Sequence, residues 1–238
     1  MTSTFDRFAR TAQRWAPVTF PSLFVLVFIM HFRSVSQFLT FEPRYVPKSA
    51  GEVVAGFIAA NRSPILHDPH MIAYLAVPLI LLSVFGLYRI GRETRPLASG
   101  VAMAVSVTGT VFLGGLFGTW VALSRGIASV DMRYLDGATA TFTALTAPHS
   151  AFLMTRSLAM LSMIGLGLQA LLLLGTRGVP KWSALAVAFG SALVVLFWDL
   201  DNWMLIGTLL MLAGFVRICA RHQPVGARSG DDRVRTWT

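Results

Sequence analysis

The sequence predicts an all-α protein, a polytopic transmembrane bundle of six helices with both termini in the cytoplasm. Three observations lead there. The 238 residues are 55% hydrophobic and only 13% charged, about half the charge that covers a water-soluble globule. The apolar residues fall in blocks long enough to cross a hydrocarbon core of roughly 30 Å, which takes about 20 residues of helix. The charge left over is basic, and it gathers in the short stretches between the blocks.

Taken in order, the first block covers residues 18–32, short and interrupted by Pro21, with Trp15 and Ala16 before it and residues 35–39 beyond as possible extensions. The second covers 71–88 and contains Pro78. The third, 97–124, exceeds one bilayer thickness and is expected to tilt. The fourth runs over 150–175 and carries Arg156 within its first two turns. The fifth and sixth, 183–198 and 203–216, are separated by Asp199-Leu200-Asp201-Asn202 alone and must form a tight hairpin.

Between the first two blocks, Ser49-Ala50-Gly51-Glu52 has the spacing of a capping box, in which serine and glutamate satisfy each other's backbone N–H groups. Val53, Val54, Phe57 and Ile58 then fall on one helical face. A short surface helix over residues 50–60 follows, lying on the membrane or over the bundle end. The next connection, 125–148, reads as a loop whose Met132, Leu135 and Phe142 touch the bilayer. Residues 1–220 thus form one transmembrane domain, and 221–238, with Pro224, Gly226 and Gly230, a basic disordered tail. The basic start followed by an apolar run looks like a signal peptide, but Phe32 and Arg33 stand where small neutral residues precede cleavage, so it reads as an uncleaved span.

Charge sets the orientation. Arg7, Arg10, Arg14, Arg89, Arg92, Arg95, Arg177, Lys181, Arg217, Arg221, Arg228, Arg233 and Arg235 lie on one side, thirteen cations against seven on the other. Four acids share the first side and seven the second, so the net charges are +9 and 0. Cytoplasmic loops retain lysine and arginine, which places both termini inside and accounts for the whole net charge without nucleic acid. The lipid bilayer is the partner that composition requires.

Candidate chemistry sits at the opposite, outer boundary. His31, His67, His70 and His149 all lie near it, with Asp199 and Asp201 at the same level. Imidazole and carboxylate ligate zinc, iron and copper, which makes these histidines weak candidates for a metal or haem site, although no cofactor is required. The plainer reading is four amphipathic rings at helix ends. His70 and His149, each opening a long block, are the ones expected to point inward. Cys219, the single cysteine, excludes an internal disulfide, a thiolate zinc site and a c-type haem attachment. Charge within a span is costly, so Arg156 is expected to pair with Asp199 or Asp201; the three are the catalytic candidates if the site is an enzyme's. Gly114 and Gly118 in the third block have the G-x-x-x-G spacing of a close helix approach, inside the chain or in a homo-oligomer or with another membrane protein.

Three segments carry a family likeness: Glu52-Val53-Val54-Ala55-Gly56-Phe57-Ile58-Ala59-Ala60-Asn61-Arg62, Gly86-Leu87-Tyr88-Arg89, and Arg177-Gly178-Val179-Pro180-Lys181-Trp182. Over residues 50–218 the chain resembles the DUF4386-like bacterial six-helix membrane proteins. The resemblance implies the six-span fold in a bacterial plasma membrane and no chemistry. Three function classes remain: a structural or regulatory membrane subunit, for which packing features speak most clearly; a small-molecule transporter or permease, which needs a polar midplane cavity; and an outer-face enzyme using the His/Asp/Arg cluster.

Overall fold

The computed structural model describes residues 4–31, 49–60, 69–198 and 200–221. Among the described residues every regular element is helical: α1 (Thr4–His31), α2 (Ala50–Ala60), α3 (Pro69–Gly91), α4 (Pro96–Ala128), a 3-10 turn (Met132–Tyr134), α5 (Leu135–Thr146), α6 (Ala151–Ala159), α7 (Leu161–Leu172) ending in a 3-10 turn (Leu173–Gly175), α8 (Lys181–Leu196) and α9 (Asp201–Arg221). Four stretches are long and apolar enough to cross a membrane: Pro69–Gly91, Pro96–Ala128, Ala151–Gly175 and Asp201–Ala220. Arg14–Met30 and Lys181–Leu196 are shorter apolar helices.

Six antiparallel units close a ring, in which α1 packs on α3, α3 on α4, α4 on α7, α7 on α8, α8 on α9, and α9 back on α1; α3 also touches α7 across the interior. Each unit is apolar on both its inner and outer sides. Phe20, Ile80, Leu113, Leu166, Val187, Met211 and Phe215 are buried within, whereas Leu97 is 82%, Phe189 61% and Val111 63% exposed on the outside. A helix that is hydrophobic all round belongs in a core or in lipid, and these outward side chains have no protein to cover them. The ring is closed by aromatic packing, with the Phe20 and Phe215 rings meeting edge to face at 5.6 Å.

Three elements depart from the sequence reading. The first helix begins at Thr4 rather than at residue 18 and runs through Pro17 and Pro21; burial of Ala16, Phe20, Phe24, Val27 and Phe28 along one face outweighs the proline cost. The fourth unit is broken at Met160, whose carbonyl accepts from both Met163 and Ile164 N–H at 3.1 Å. Just before the break, Thr155 and Ser157 hydroxyls donate back to the Ala151 and Leu153 carbonyls, a pattern that bends helices. The third departure is α5, a helix where a loop was expected. Its four threonines and one glycine give it low intrinsic propensity, and tertiary burial of Phe142 supplies the rest.

At one end of the ring, α2 and α5 pack on each other and on the end of α4 to form a cap. A second core fills it: Val54, Ile127 and Phe142 are buried, with Val53, Phe57, Ile58, Trp120, Leu123 and Leu135 around them. The capping box that starts α2 is formed, with Ser49 N–H donating to Glu52 Oε2 at 2.7 Å and Glu52 N–H donating to Ser49 Oγ at 3.3 Å. The opposite end carries Arg89, Arg92, Arg95, Arg177, Lys181 and Arg217. There the α3–α4 and α7–α8 turns are tied by the Thr94 and Thr176 hydroxyls at 3.3 Å.

Candidate functional site

Local structure at the cap end places the expected site residues unevenly. Arg156 lies in the second turn of α6 and is half-buried; Asp201 opens α9 and is half-buried as well. Asp199, His67, the side chain of His31, the rest of the first outer connection and the basic tail after Arg221 lie outside the described residues. His70 is half-buried in the first turn of α3, its ring 5.4 Å from that of Trp120. His149 is exposed instead of inward, and its backbone holds φ +65°, an uncommon conformation for a residue other than glycine. The turn sets up the N-cap of α6, where Ser150 Oγ accepts from Leu153 N–H at 3.2 Å. Among the described residues, no three of His, Cys, Asp and Glu converge as metal ligands do.

What the cap end does assemble is aromatic. Trp120, near the end of α4, is touched by rings from four other elements: Phe57 of α2 at 5.9 Å, His70 of α3, Phe142 of α5 at 6.3 Å, and Phe152 of α6 stacked at 5.7 Å. Phe57 and Phe142 also meet each other edge to face at 6.0 Å. Such pairs contribute about 0.5–1.5 kcal/mol each beyond their burial, so one indole fastens the cap to the ring. On the outside of this cap an apolar groove of about 670 Å³ runs between the end of α4 and α5, lined by Ala122, Gly126, Ile127, Tyr134 and Ala138 among others. At its rim Asp131 is bonded to Arg133 at 3.0 Å.

Buried polar chemistry lies deeper, on the seam between α4 and α7. A methyl group at Gly109 would overlap the backbone of Leu161 and Ser162, and one at Gly165 would overlap Ser106. Only glycine lets the two backbones come this close. Here Ser106 Oγ donates to the Ser162 carbonyl at 2.9 Å, Thr110 Oγ1 donates to the Ser106 carbonyl at 2.7 Å, and Thr110 Oγ1 lies 2.8 Å from Ser162 Oγ. Because the Thr110 proton is engaged by the carbonyl, Ser162 is the donor in that last pair. The protons of Ser106, Thr110 and Ser162 are thus all placed. Gln169, two turns further along α7, is 2% exposed, and neither its Nε2 nor its Oε1 has a partner; Ser99, Ser183 and Ser191 Oγ are likewise buried and unpartnered. An unmade bond of this kind costs about 1–3 kcal/mol.

Ser83, Thr108, Thr110 and Gln169 are polar groups within the apolar blocks of the sequence, but they do not by themselves reveal this seam. The missed signal is the spacing of small residues, Ser99, Ala102, Ser106, Gly109 on one helix and Ser162, Gly165 on the other. Gly114 and Gly118, singled out for their spacing, face α3 within the chain, where a methyl group would stand 3.3 Å from Val77 and Tyr74 side chains. No family model, curated protein or solved structure matches the chain.

Proposed function

We propose that this chain is a six-span protein of the bacterial plasma membrane, with both termini in the cytoplasm, that serves as a structural or regulatory subunit of a membrane assembly. Arg14–Met30 and Lys181–Leu196 act as the two additional spans, since each is a full partner in the closed ring. The Arg-rich end faces the cytoplasm by the positive-inside rule. The DUF4386-like resemblance implies the same span number.

The observation that carries the functional reading is how the ring is filled. Backbones meet directly at Gly109 with Ser162, at Gly165 with Ser106, and at Gly190 with Gly207, while phenylalanine, leucine and isoleucine fill the interior. A transporter alternates by rocking one group of helices against another around a polar midplane site, and seams interlocked at the backbone oppose that motion. A rigid ring with an aromatic cap suits a part that holds or positions a neighbour.

The test is the mass of the particle extracted from its own membrane into polymer nanodiscs. The expected result is a complex larger than one 25.9 kDa chain, with purified chain in proteoliposomes passing no small solute. A lone chain that carries solute flux would overturn the subunit reading in favour of a permease.

A further inference from the structure

The α4–α7 seam changes character along its length. Where glycine brings the helices together, Ser106, Thr110 and Ser162 bond one another directly. The register set by Gly109 against Ser162 and Ser106 against Gly165 continues antiparallel and puts Ala102 opposite Gln169. At that level α4 presents alanine rather than glycine, and the amide, 2% exposed, has no hydrogen-bond partner from protein. A leucine would fill such a position without that penalty, so an amide there points to something that bonds it.

We propose that Gln169 binds an ordered water molecule within this seam, and that the water joins the amide to Ser106. Side chains on a helix lean toward its N-terminus, which carries Gln169 toward the level of Gly165 and Ser106. Ser106 Oγ spends its proton on the Ser162 carbonyl but keeps acceptor capacity. A molecule accepting from Gln169 Nε2, donating one proton to Gln169 Oε1 and the other to Ser106 Oγ completes both. The amide and the hydroxyl are neutral, and Ala102, Leu166 and Leu173 on these two helices are buried and apolar, so an ion would enter without a counter-charge. Water both donates and accepts, and buried waters typically satisfy polar groups that protein leaves unbonded.

X-ray radiolysis of the full chain in lipid nanodiscs tests this, because hydroxyl radicals formed from a buried water oxidise the side chains beside it. Met103 adjoins Ala102 and is partly buried; Met211, 1% exposed against Gly190, is the buried control. The proposal expects faster oxidation of Met103 than of Met211 in the unaltered protein, and a several-fold fall at Met103 alone in Gln169→Leu. Gln169→Met, of similar length, serves the same comparison if leucine does not fold. Oxidation of Met103 no faster than that of Met211 in the unaltered protein, or unchanged by both substitutions, would overturn it.

Discussion

A methyl group has no room at Gly109, since the Leu161–Ser162 backbone already occupies that space, while Gly100 on the same helix has nothing within 4 Å of the corresponding point. The two positions therefore separate packing from helix propensity. Gly109→Ala is expected to cost about 1–3 kcal/mol as an overpacked site, seen as a lower thermal midpoint in nanodiscs. Gly100→Ala should be neutral or gain up to about 1 kcal/mol from propensity. Equal midpoints for the two variants would show that the seam yields more easily than its backbone contacts imply. At the cap end, Arg156 and Asp201 are the half-buried charges of opposite sign that the sequence singles out. If an aspartate of the α8–α9 turn offsets Arg156, Asp201→Ala or Asp199→Ala should reduce folded, membrane-inserted yield more than Arg156→Leu. The reason is that an unpaired cation at that depth carries about 2.5–3.5 kcal/mol, whereas aspartates at the helix end can turn to water. The reverse order of yields would rule the pairing out.

Among the elements, α2 and α5 share a small core that Trp120 ties to the ring through Phe57 and Phe142 on one side and His70 and Phe152 on the other. Trp120→Ala is expected to free them: protease cleavage within residues 50–60 and 135–146 should rise, while the ring helices keep their thermal transition. Trp120 is half-buried, so its truncation removes part of the about 3–5 kcal/mol that a fully buried tryptophan carries, and short helices of this kind hold little by themselves. Cleavage rates equal to those of the unaltered protein would place the cap's attachment elsewhere. The two cap helices also show what sequence discloses. The capping box and the apolar face of α2 are local signals, and its bounds, Ala50–Ala60, follow from them. Nothing local marks α5, because its helix depends on Phe142 meeting Val54 and Ile127 from distant parts of the chain. Hydropathy located α3, α4 and the α6–α7 unit to within a few residues, yet it could not show the break at Met160, because the apolar run continues through it. Of the two histidines expected to point inward, His149 is exposed, because its turn is a backbone feature that position along the sequence does not disclose.

Across the whole molecule, the cap and the Arg-rich turns lie at opposite ends of one ring, so a single assignment of sides fixes both. In the proposed topology, charge makes that assignment. Cysteine accessibility reads it directly. In a Cys219→Ser background, Glu93→Cys and Arg177→Cys mark the two tied turns at the Arg-rich end, and Asp131→Cys marks the rim of the cap. In intact cells a membrane-impermeant thiol reagent is expected to label Asp131→Cys alone, and the other two only after the membrane is opened. Labelling of Glu93→Cys or Arg177→Cys from outside, or of all three from the same side, would contradict the six-span topology with a cytoplasmic Arg-rich end.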